Sequence, residues 1–218
     1  MLRARNPQAN VKQKRSYDAS LRRQRAQLTR ESIVANATEL FLRDGYTATT
    51  VAAIASAARV SADTLYKTFG GKPGLVRAIR ERALEGDGPV PAEERSDTTQ
   101  ANEPDPHKII EMWGRLTSEV APRVAPILLL LRAAAASDPE VQSLLDEMDD
   151  DRLRRMTLNA RRLLDAGHLR SGITLGEAAD VLWTYSSPEL YELLVLRRRW
   201  SAKRYGSFIS DAMIASLL

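Results

Sequence analysis

The segment from Ser61 to Phe69 concentrates side chains that can form hydrogen bonds with a nucleic acid. At helical spacing, Leu65 and Phe69 share one apolar face, which leaves the polar side chains on the opposite face. Ser61 is a favourable N-cap, because its hydroxyl can accept a backbone N–H of the first turn. The outward-facing set combines a carboxylate, hydroxyls and an ammonium, which suit base edges and phosphates. Its members are Asp63, Thr64, Tyr66, Lys67 and Thr68.

A second short helix is predicted immediately before this segment. Thr50 can serve as its N-cap, and four residues at helical spacing form its apolar face. These are Val51, Ile54, Ala55 and Ala58. Residues 59–61 make the turn between the two helices. In a helix-turn-helix, the first helix packs across the second, and the polar side chains of the second helix enter the major groove of DNA. The two predicted helices fit this arrangement.

The sequence offers little support for catalytic or metal chemistry. His107 and His168 are the only histidines and are far apart, and cysteine is absent. The Gly-Gly-Lys sequence at residues 70–72 lacks the further glycine and hydroxyl of a phosphate-binding loop. The acidic run at residues 149–151 places consecutive carboxylates about 100° apart on a helix. We therefore expect no catalytic residue, no metal site and no cofactor.

Positive charge is concentrated near the N-terminus. The formal net charge is +4, but residues 1–28 carry +7, residues 29–85 carry +2, residues 86–106 carry −5 and residues 107–218 are neutral. The basic excess lies on and before the helix-turn-helix, where phosphates would lie. A solubilising tail is the alternative interpretation.

No apolar run is long enough for a signal peptide or a membrane span. The most apolar stretch, residues 125–136, is short and contains Pro126 and Arg132. The absence of cysteine fits a reducing compartment. We expect a cytoplasmic protein that does not contact a membrane.

Composition and helix signals predict an all-α chain in four segments. Residues 1–24 lack apolar periodicity and are expected to be a disordered basic tail. Residues 25–85 form the helix-turn-helix domain, which includes a connecting fourth helix. Residues 86–106, with four prolines and many acids, are expected to be a flexible linker. Residues 107–218 form a helical C-terminal domain.

Helix-start and helix-stop signals recur along the chain, and no segment has the alternation of a strand. Thr174 and Glu177 can form a capping box, and Gly167 can stop the preceding helix. Pro122 and Pro126 are expected to break the helix that contains them. The predicted helices span approximately residues 25–43, 51–58, 62–69, 72–85, 106–120, 121–136, 139–166, 175–185, 188–198 and 202–218.

Residues 29–85 closely resemble the N-terminal DNA-binding domain of the TetR family of transcriptional regulators. The rest of the chain resembles that family only as an all-helical ligand-binding and dimerisation domain, although residues 181–205 look like the C-terminal end of some members. The residues that carry the resemblance are Phe41, Gly45, Tyr46, Thr49, Thr50, Val51, Ala52, Ala53, Ile54, Ala55, Val60, Ser61, Thr64, Leu65, Tyr66, Phe69 and Lys72.

The resemblance implies a homodimer that binds double-stranded operator DNA with an inverted repeat. Such regulators are most often repressors in the bacterial cytoplasm, associated with the nucleoid, and are released by a small-molecule effector. A helix-turn-helix protein without small-molecule input is the alternative. A cavity in the C-terminal half would favour the first interpretation. A helical enzyme is a third interpretation, which the sparse catalytic residues disfavour.

Carried over by position, ten residues are expected at the DNA. Ala62, Asp63 and Thr64 are expected nearest the base edges. Tyr66 and Lys72 are expected to contact phosphates, Lys72 with the help of the α-helix dipole. The full set is Thr49, Thr50, Arg59, Ser61, Ala62, Asp63, Thr64, Tyr66, Lys67 and Lys72.

Two of these positions depart from the family pattern. Arg59 replaces a common turn glycine, so it either contacts a phosphate or only accommodates the turn. Asp63 replaces a glycine or another small residue. It can accept a hydrogen bond from a cytosine N4 or only cap the helix.

The resemblance also implies a dimer interface and an effector pocket in the C-terminal half. Helices 175–185 and 201–218 are assigned to the interface. Each carries a stripe of apolar residues, which could instead belong to the core of a single subunit. The stripes are Ala178, Val181, Leu182 and Tyr185, and Phe208, Ile209, Ala212, Met213 and Leu217. Arg132 could pair with an anionic ligand group. The other pocket candidates, each of which could instead be core, are Met112, Trp113, Leu116, Leu128, Leu131, Trp183 and Tyr191.

Overall fold

The computed structural model describes residues 7–88 and 90–218, with side chains from Ser20 onward. Within these ranges the chain is helical and has no strand, which confirms the predicted fold class. None of the described helices is both long enough and apolar enough to cross a membrane. The helices are α1 (Pro7–Asp44), α2 (Val51–Ala57), α3 (Ala62–Phe69), α4 (Lys72–Glu85), α5 (Ala92–Asn102), α6 (Pro106–Ala135), α7 (Pro139–Asp165), α8 (Leu175–Tyr185), α9 (Pro188–Tyr191), a π-helical segment (Glu192–Arg197) and α10 (Ala202–Leu217).

Polar caps fix the starts of the short helices. The hydroxyl of Thr50 accepts the backbone N–H of the residue three positions on at 3.1 Å, and Ser61 does the same at 3.0 Å. Thr174 and Glu177 form a complete capping box at the start of α8. These contacts confirm the predicted caps, since each satisfies an N–H that would otherwise lack an intrahelical partner.

The four N-terminal helices share one core with the C-terminal half. Phe41 of α1, Ile54 of α2, Leu65 of α3 and Leu75 of α4 are fully buried. Leu131 of α6 belongs to the same cluster. The N-terminal helices therefore pack on α6 through α1 and α4.

A second core lies among α6, α7, α8 and α10. Ile110, Leu163, Leu182 and Tyr205 are almost completely buried in it. Helices α6 and α7 both contribute buried residues to the two cores, and they join the two halves of the molecule.

Helix α1 begins at Pro7 rather than near Arg25, so the prediction of disorder for residues 7–24 is wrong. Residues 1–6 lie outside the described part of the chain. The prediction relied on a missing apolar stripe, which is a criterion for burial and not for helix formation. The segment is rich in Lys, Arg, Gln and Ala, which favour a helix without burial, and proline is tolerated in a first turn.

The acidic segment 86–106 is not a flexible linker throughout, because it contains α5. This helix docks on α6 mainly through polar contacts. The indole N–H of Trp113 donates to the hydroxyl of Ser96 at 3.0 Å, and Arg95 donates two hydrogen bonds to Glu119. Docking of this kind leaves no apolar periodicity in the sequence.

Helix α6 runs without interruption through Pro122 and Pro126, so the predicted break is absent. Each proline removes a backbone hydrogen bond and costs about 3 kcal/mol in a helix interior. Ile127 and Leu131 are buried in the following turns. Burial of each such side chain contributes about 1.5–3 kcal/mol, which offsets the cost of the prolines.

The predicted helix at residues 188–198 is present but not uniform. One turn of α-helix, α9, widens into the π-helical segment. Arg199 follows with a φ of 58°. This left-handed conformation is uncommon for a residue with a side chain, and it directs the chain into α10.

Two glycines allow α6 and α10 to cross with their backbones in contact. A Cβ atom at Gly114 would lie 2.5 Å from the carbonyl oxygen of Gly206, and a Cβ at Gly206 would overlap the carbonyl oxygen of Gly114. Neither backbone can move aside as a flexible side chain would. Since α10 packs mainly against α6, the crossing fixes the second core.

We predict that Gly206→Ala destabilises the protein. The substitution gains about 1 kcal/mol of helix propensity, but overpacking against a backbone costs about 3 kcal/mol. For a chain of this length the net loss lowers Tm by roughly 4–8 °C, as measured by circular dichroism. Gly176→Ala in α8 is the matched control, because its Cβ would meet no atom within 4 Å. Equal Tm values for the two variants would contradict the close crossing.

Candidate functional site

Helices α2 and α3 place the predicted polar face on the surface. Ile54 and Ala55 of α2 and Leu65 of α3 are buried beneath the pair. In the turn, Arg59 has a φ of 56°, and the N–H of Val60 donates to the carbonyl of Ala55 at 2.9 Å. The arrangement has the geometry of a helix-turn-helix, with α3 as the helix whose polar face is open to a partner.

The exposed face of α3 carries one large aromatic side chain and one ion pair. Tyr66 is 55% exposed. Asp63 and Lys67, one turn apart, are also exposed and pair at 2.8 Å. Ala62 is exposed at the start of the helix. The face therefore offers a hydroxyl, a carboxylate and an ammonium within two turns.

Four of the predicted hydroxyl contacts hold the motif itself together. Thr49 is buried, and its hydroxyl donates to the carbonyl of Gly45 at 2.7 Å, so its predicted place at the DNA surface is wrong. It is buried because it closes the turn after α1. Thr50 and Ser61 remain exposed but serve as caps, and the hydroxyl of Ser61 also lies 2.8 Å from that of Thr64.

Lys72 stands at the start of α4, as predicted, but its ammonium makes an internal contact. It donates to the carbonyl of Tyr46 at 2.7 Å and lies 4.1 Å from the centre of the Tyr46 ring. Burial lowers the pKa of the Lys72 ammonium below its ordinary value. The contact ties α4 to the end of α1, while the other N–H groups of the ammonium remain available to a second acceptor.

A groove between α1 and α3 adds basic side chains beside this surface. It is lined by Arg23, Gln27 and Arg30 of α1, and by Thr64 and Thr68 of α3. The α1 residues were not predicted as contacts. Their only signal in the sequence is the basic excess before the helix-turn-helix, which does not reveal that α1 flanks α3.

A cavity of about 180 Å³ lies among helices α4 to α10. Three of the predicted pocket residues, Trp113, Leu116 and Leu128, line it. Met148 and Met213 add to an apolar wall. The prediction of a pocket among the middle helices thus agrees with the structure for these three side chains.

Other predicted pocket residues belong to the packing between helices. Met112 and Leu131 are buried in the second and first cores, respectively. Tyr191 is also buried and packs edge-on against Tyr205, with 5.6 Å between the ring centres. None of these three predicted residues lines the cavity.

Arg132 and Trp183 also lie outside the cavity wall. Arg132 pairs with Asp149 at 3.4 Å and with Glu189, so its guanidinium is engaged outside the cavity. The ring of Trp183 lies beneath the guanidinium of Arg152, 4.5 Å from it. Neither of these two predicted residues lines the cavity.

Sequence reasoning missed the polar residues that line the cavity, among them Arg80, Arg152, Arg155 and Asn159. The last three share one face of α7 with Met148, at helical spacing. That spacing was visible in the sequence. The face was not recognised as internal, because most of its side chains are polar or charged.

The stripes assigned to dimerisation are largely internal to one subunit. Five of their nine residues are buried in the second core: Ala178, Leu182, Ile209, Met213 and Leu217. Val181, Tyr185 and Ala212 are half-buried. Phe208 is exposed, as are the nearby apolar residues Leu193 and Leu196.

Residues 33–79 match the family model described as bacterial regulatory proteins, tetR family. A search of curated proteins gives no significant match. Among solved structures, SmeT in its complex with triclosan is 23% identical, with a TM-score of 0.69 over 88% of this chain and 92% of that one. NalD, the secondary repressor of the MexAB-OprM multidrug efflux pump in Pseudomonas aeruginosa, is 19% identical, with a TM-score of 0.69 over 89% and 98%.

FadR from Bacillus subtilis, in complex with stearoyl-CoA, is 16% identical, with a TM-score of 0.67 over 86% of this chain and 99% of that one. At these identities the structures establish a shared fold along nearly the whole chain. The helix-turn-helix geometry, the matching family model and the all-helical C-terminal half agree. Residues 33–79 therefore match the tetR-family domain, whose helix-turn-helix spans residues 51–69 here, and the whole chain has the fold of these solved structures.

Proposed function

We propose that the protein is a ligand-responsive repressor that binds an inverted-repeat operator as a homodimer. Occupation of the cavity by a small molecule would release it from the DNA. The observation that carries the proposal is the course of α4. This helix begins at Lys72, directly after α3, and lines the cavity with Arg80 and Leu84.

Two ion pairs hold α4 against α7. Arg77 donates two hydrogen bonds to Glu147, and Arg80 lies 3.1 Å from Asp151. A ligand that contacts α4 or α7 can therefore favour a different orientation of α4. It shifts the protein from the DNA only to the extent that it binds the two orientations with different affinity.

The exposed face of α3 supports specific roles at the DNA. Ala62, Asp63 and Thr64 would lie nearest the base edges. The Tyr66 hydroxyl would donate to a phosphate. Lys67 would leave its ion pair with Asp63 and contact a base or a phosphate instead. A phosphate contact would position the helix, whereas a base contact would contribute to sequence specificity.

Further phosphate contacts would flank the recognition helix. The exposed Arg59 would contact the backbone from the turn, and Lys72 would do so with the N–H groups that Tyr46 does not use. Thr50 and Ser61, exposed at the starts of α2 and α3, would lie close to the same phosphates.

A homodimer follows from the small number of base pairs that one helix-turn-helix reads. Three exposed apolar side chains support this proposal: Leu193 and Leu196 of the π-helical segment and Phe208 of α10. Exposed groups of large apolar residues commonly mark interfaces between proteins.

The cavity favours ligand response over the alternative of a DNA-binding protein with no small-molecule input. SmeT and FadR, which share the fold, were solved with triclosan and with stearoyl-CoA. The tetR-family fold indicates a transcription regulator rather than an enzyme. As a DNA-binding regulator, the protein would act in the bacterial cytoplasm at the nucleoid.

We predict that the full chain enriches an inverted repeat from a pool of random DNA duplexes. Two recognition helices related by a two-fold axis read two half-sites of opposite orientation. The bound fraction is sequenced after several rounds of selection. Enrichment of an isolated half-site would contradict the dimer. Absence of enrichment, together with binding that disappears at moderate salt, would contradict a specific regulator.

We predict that Lys72→Ala weakens binding to every DNA sequence alike. Loss of one phosphate contact by a cation should make the negative slope of log K against log salt shallower by about one unit. Tyr66→Phe should also weaken binding uniformly but leave the slope unchanged, since it removes no charge. Lys203→Ala, an exposed lysine on α10, is the control. A sequence-selective loss in Tyr66→Phe would place its hydroxyl at a base instead.

We predict that removal of residues 1–24 weakens non-specific DNA binding. These residues carry seven Lys or Arg and one Asp, and the first described buried residue is Ile33, so the core is retained. The slope of log K against log salt should become shallower, as fewer counterions are released. An unchanged slope would show that this segment does not contact the DNA.

A further inference from the structure

The cavity combines an apolar wall with three guanidinium groups. Arg80, Arg152 and Arg155 line it together with Trp113 and several methionines and leucines. Placing a cation against apolar surface is costly unless the cation is paired. The pairing of these arginines therefore indicates what the cavity can accept.

Each cavity arginine shares its carboxylate with a second arginine outside the cavity. Asp149 lies 3.2 Å from Arg152 and 3.4 Å from Arg132. The same sharing occurs at two other aspartates. Asp151 contacts Arg80 and Arg154, and Asp97 contacts Arg155 and Arg162. Three carboxylates therefore serve six guanidinium groups.

Two further carboxylates reduce this excess. Glu189 pairs with Arg132, and Glu93 is an exposed residue of the cavity lining. Among the described residues, the cavity lining itself holds three arginines and one carboxylate, that of Glu93.

Arg152 is the cavity cation that is most withdrawn from water. Its side chain is 13% exposed, and it donates to the hydroxyl of Ser186 at 3.1 Å and to the carbonyl of Trp183. Its Nε is buried, with no acceptor among the described residues, and so is the Nε1 of the Trp183 ring beneath it. Both groups donate hydrogen bonds, so each of them lacks an acceptor.

Desolvation of the Arg152 guanidinium also favours binding of an anion. Burial lowers the pKa of the Arg152 guanidinium below its ordinary value, despite the hydrogen bond to Asp149. A guanidinium in such a place is attracted to an anion more strongly than one in water, because the lower local dielectric strengthens the interaction.

The volume of the cavity is enough for a small ligand. A cavity of about 150 Å³ accommodates a benzene molecule. The volume of about 180 Å³ therefore suits one aromatic ring with a small substituent. The apolar wall supplies the contacts for the ring, and Arg152 supplies those for a charged substituent.

We propose that the cavity binds a small apolar monoanion, of the size of an aromatic carboxylate, with its anionic group on Arg152. The hydrocarbon part would pack against Leu128, Met148 and Met213. This inference rests on the ligand-responsive function proposed above and gives the chemical class of its effector.

The test compares carboxylates with their neutral amides of the same shape. Benzoate, 4-ethylbenzoate and 1-naphthoate, and the three corresponding amides, are titrated into the full chain by isothermal calorimetry. We expect at least one carboxylate to bind about tenfold more tightly than its amide, the difference that one charge-assisted hydrogen bond supplies. Equal affinities within every pair, or no binding by any carboxylate, would overturn the proposal.

Arg152→Met and Arg132→Met form a matched pair of variants. Both remove an arginine that contacts Asp149, but only Arg152 lines the cavity. Arg152→Met should abolish the preference for the carboxylate while the amide affinity stays unchanged, and Arg132→Met should leave the preference intact. A purely structural role for Arg152 would weaken both ligands equally. The wild-type comparison tests the proposal even if Arg152→Met fails to fold.

DNA binding separates this inference from the proposed function. The enriched duplex is titrated with protein in the presence and absence of the preferred carboxylate. Carboxylate binding that leaves the DNA affinity unchanged would overturn ligand response and support the class of ligand assigned to the cavity. Release of the DNA by an amide but not by its carboxylate would support ligand response and overturn the monoanion.

Discussion

The position of α6 is the constraint on which both halves of the molecule depend. Its N-terminal part is fixed by the backbone contact between Gly114 and Gly206, and its C-terminal part by burial of Leu131 in the first core. Protein interiors are normally close-packed, because atoms beside a void lose dispersion contacts. A cavity persists beside α6 because the helix is held at both ends and cannot move in to fill it.

The local elements could be predicted from the sequence because they are decided by neighbouring residues. A hydroxyl at Thr50 or Ser61 satisfies an N–H three positions on, and Gly45 with a φ of 88° ends α1 without strain. Prediction from neighbouring residues fails at Thr49. Thr49 has the same chemistry as Thr50, but it is buried against the carbonyl of Gly45, and only the path of the chain distinguishes the two.

The polar residues that line or surround the cavity could not be predicted, because the sequence around them indicates the opposite degree of burial from the one observed. Arg132 lies in the apolar run at residues 125–136, which indicates burial, yet it pairs with acidic side chains outside the cavity. Arg152 follows three aspartates, which indicates a solvated face, yet it is nearly enclosed. Helix α5 was missed for a related reason, since its docking through Ser96 and Arg95 requires partners that only the folded chain brings close.

The ion pairs around the cavity also join it to the N-terminal half of the chain. Asp151 on α7 pairs with Arg80 on α4, and both side chains are only partly buried. Pairs that remain accessible to water contribute about 1 kcal/mol or less, so little free energy is needed to exchange one. Coupling between two binding sites typically amounts to about 1–3 kcal/mol. An anion bound at Arg152, the residue after Asp151 on α7, would therefore change the contact between α7 and α4 by an amount of that order, so ligand binding and the orientation of α4 would be linked through the Asp151–Arg80 pair.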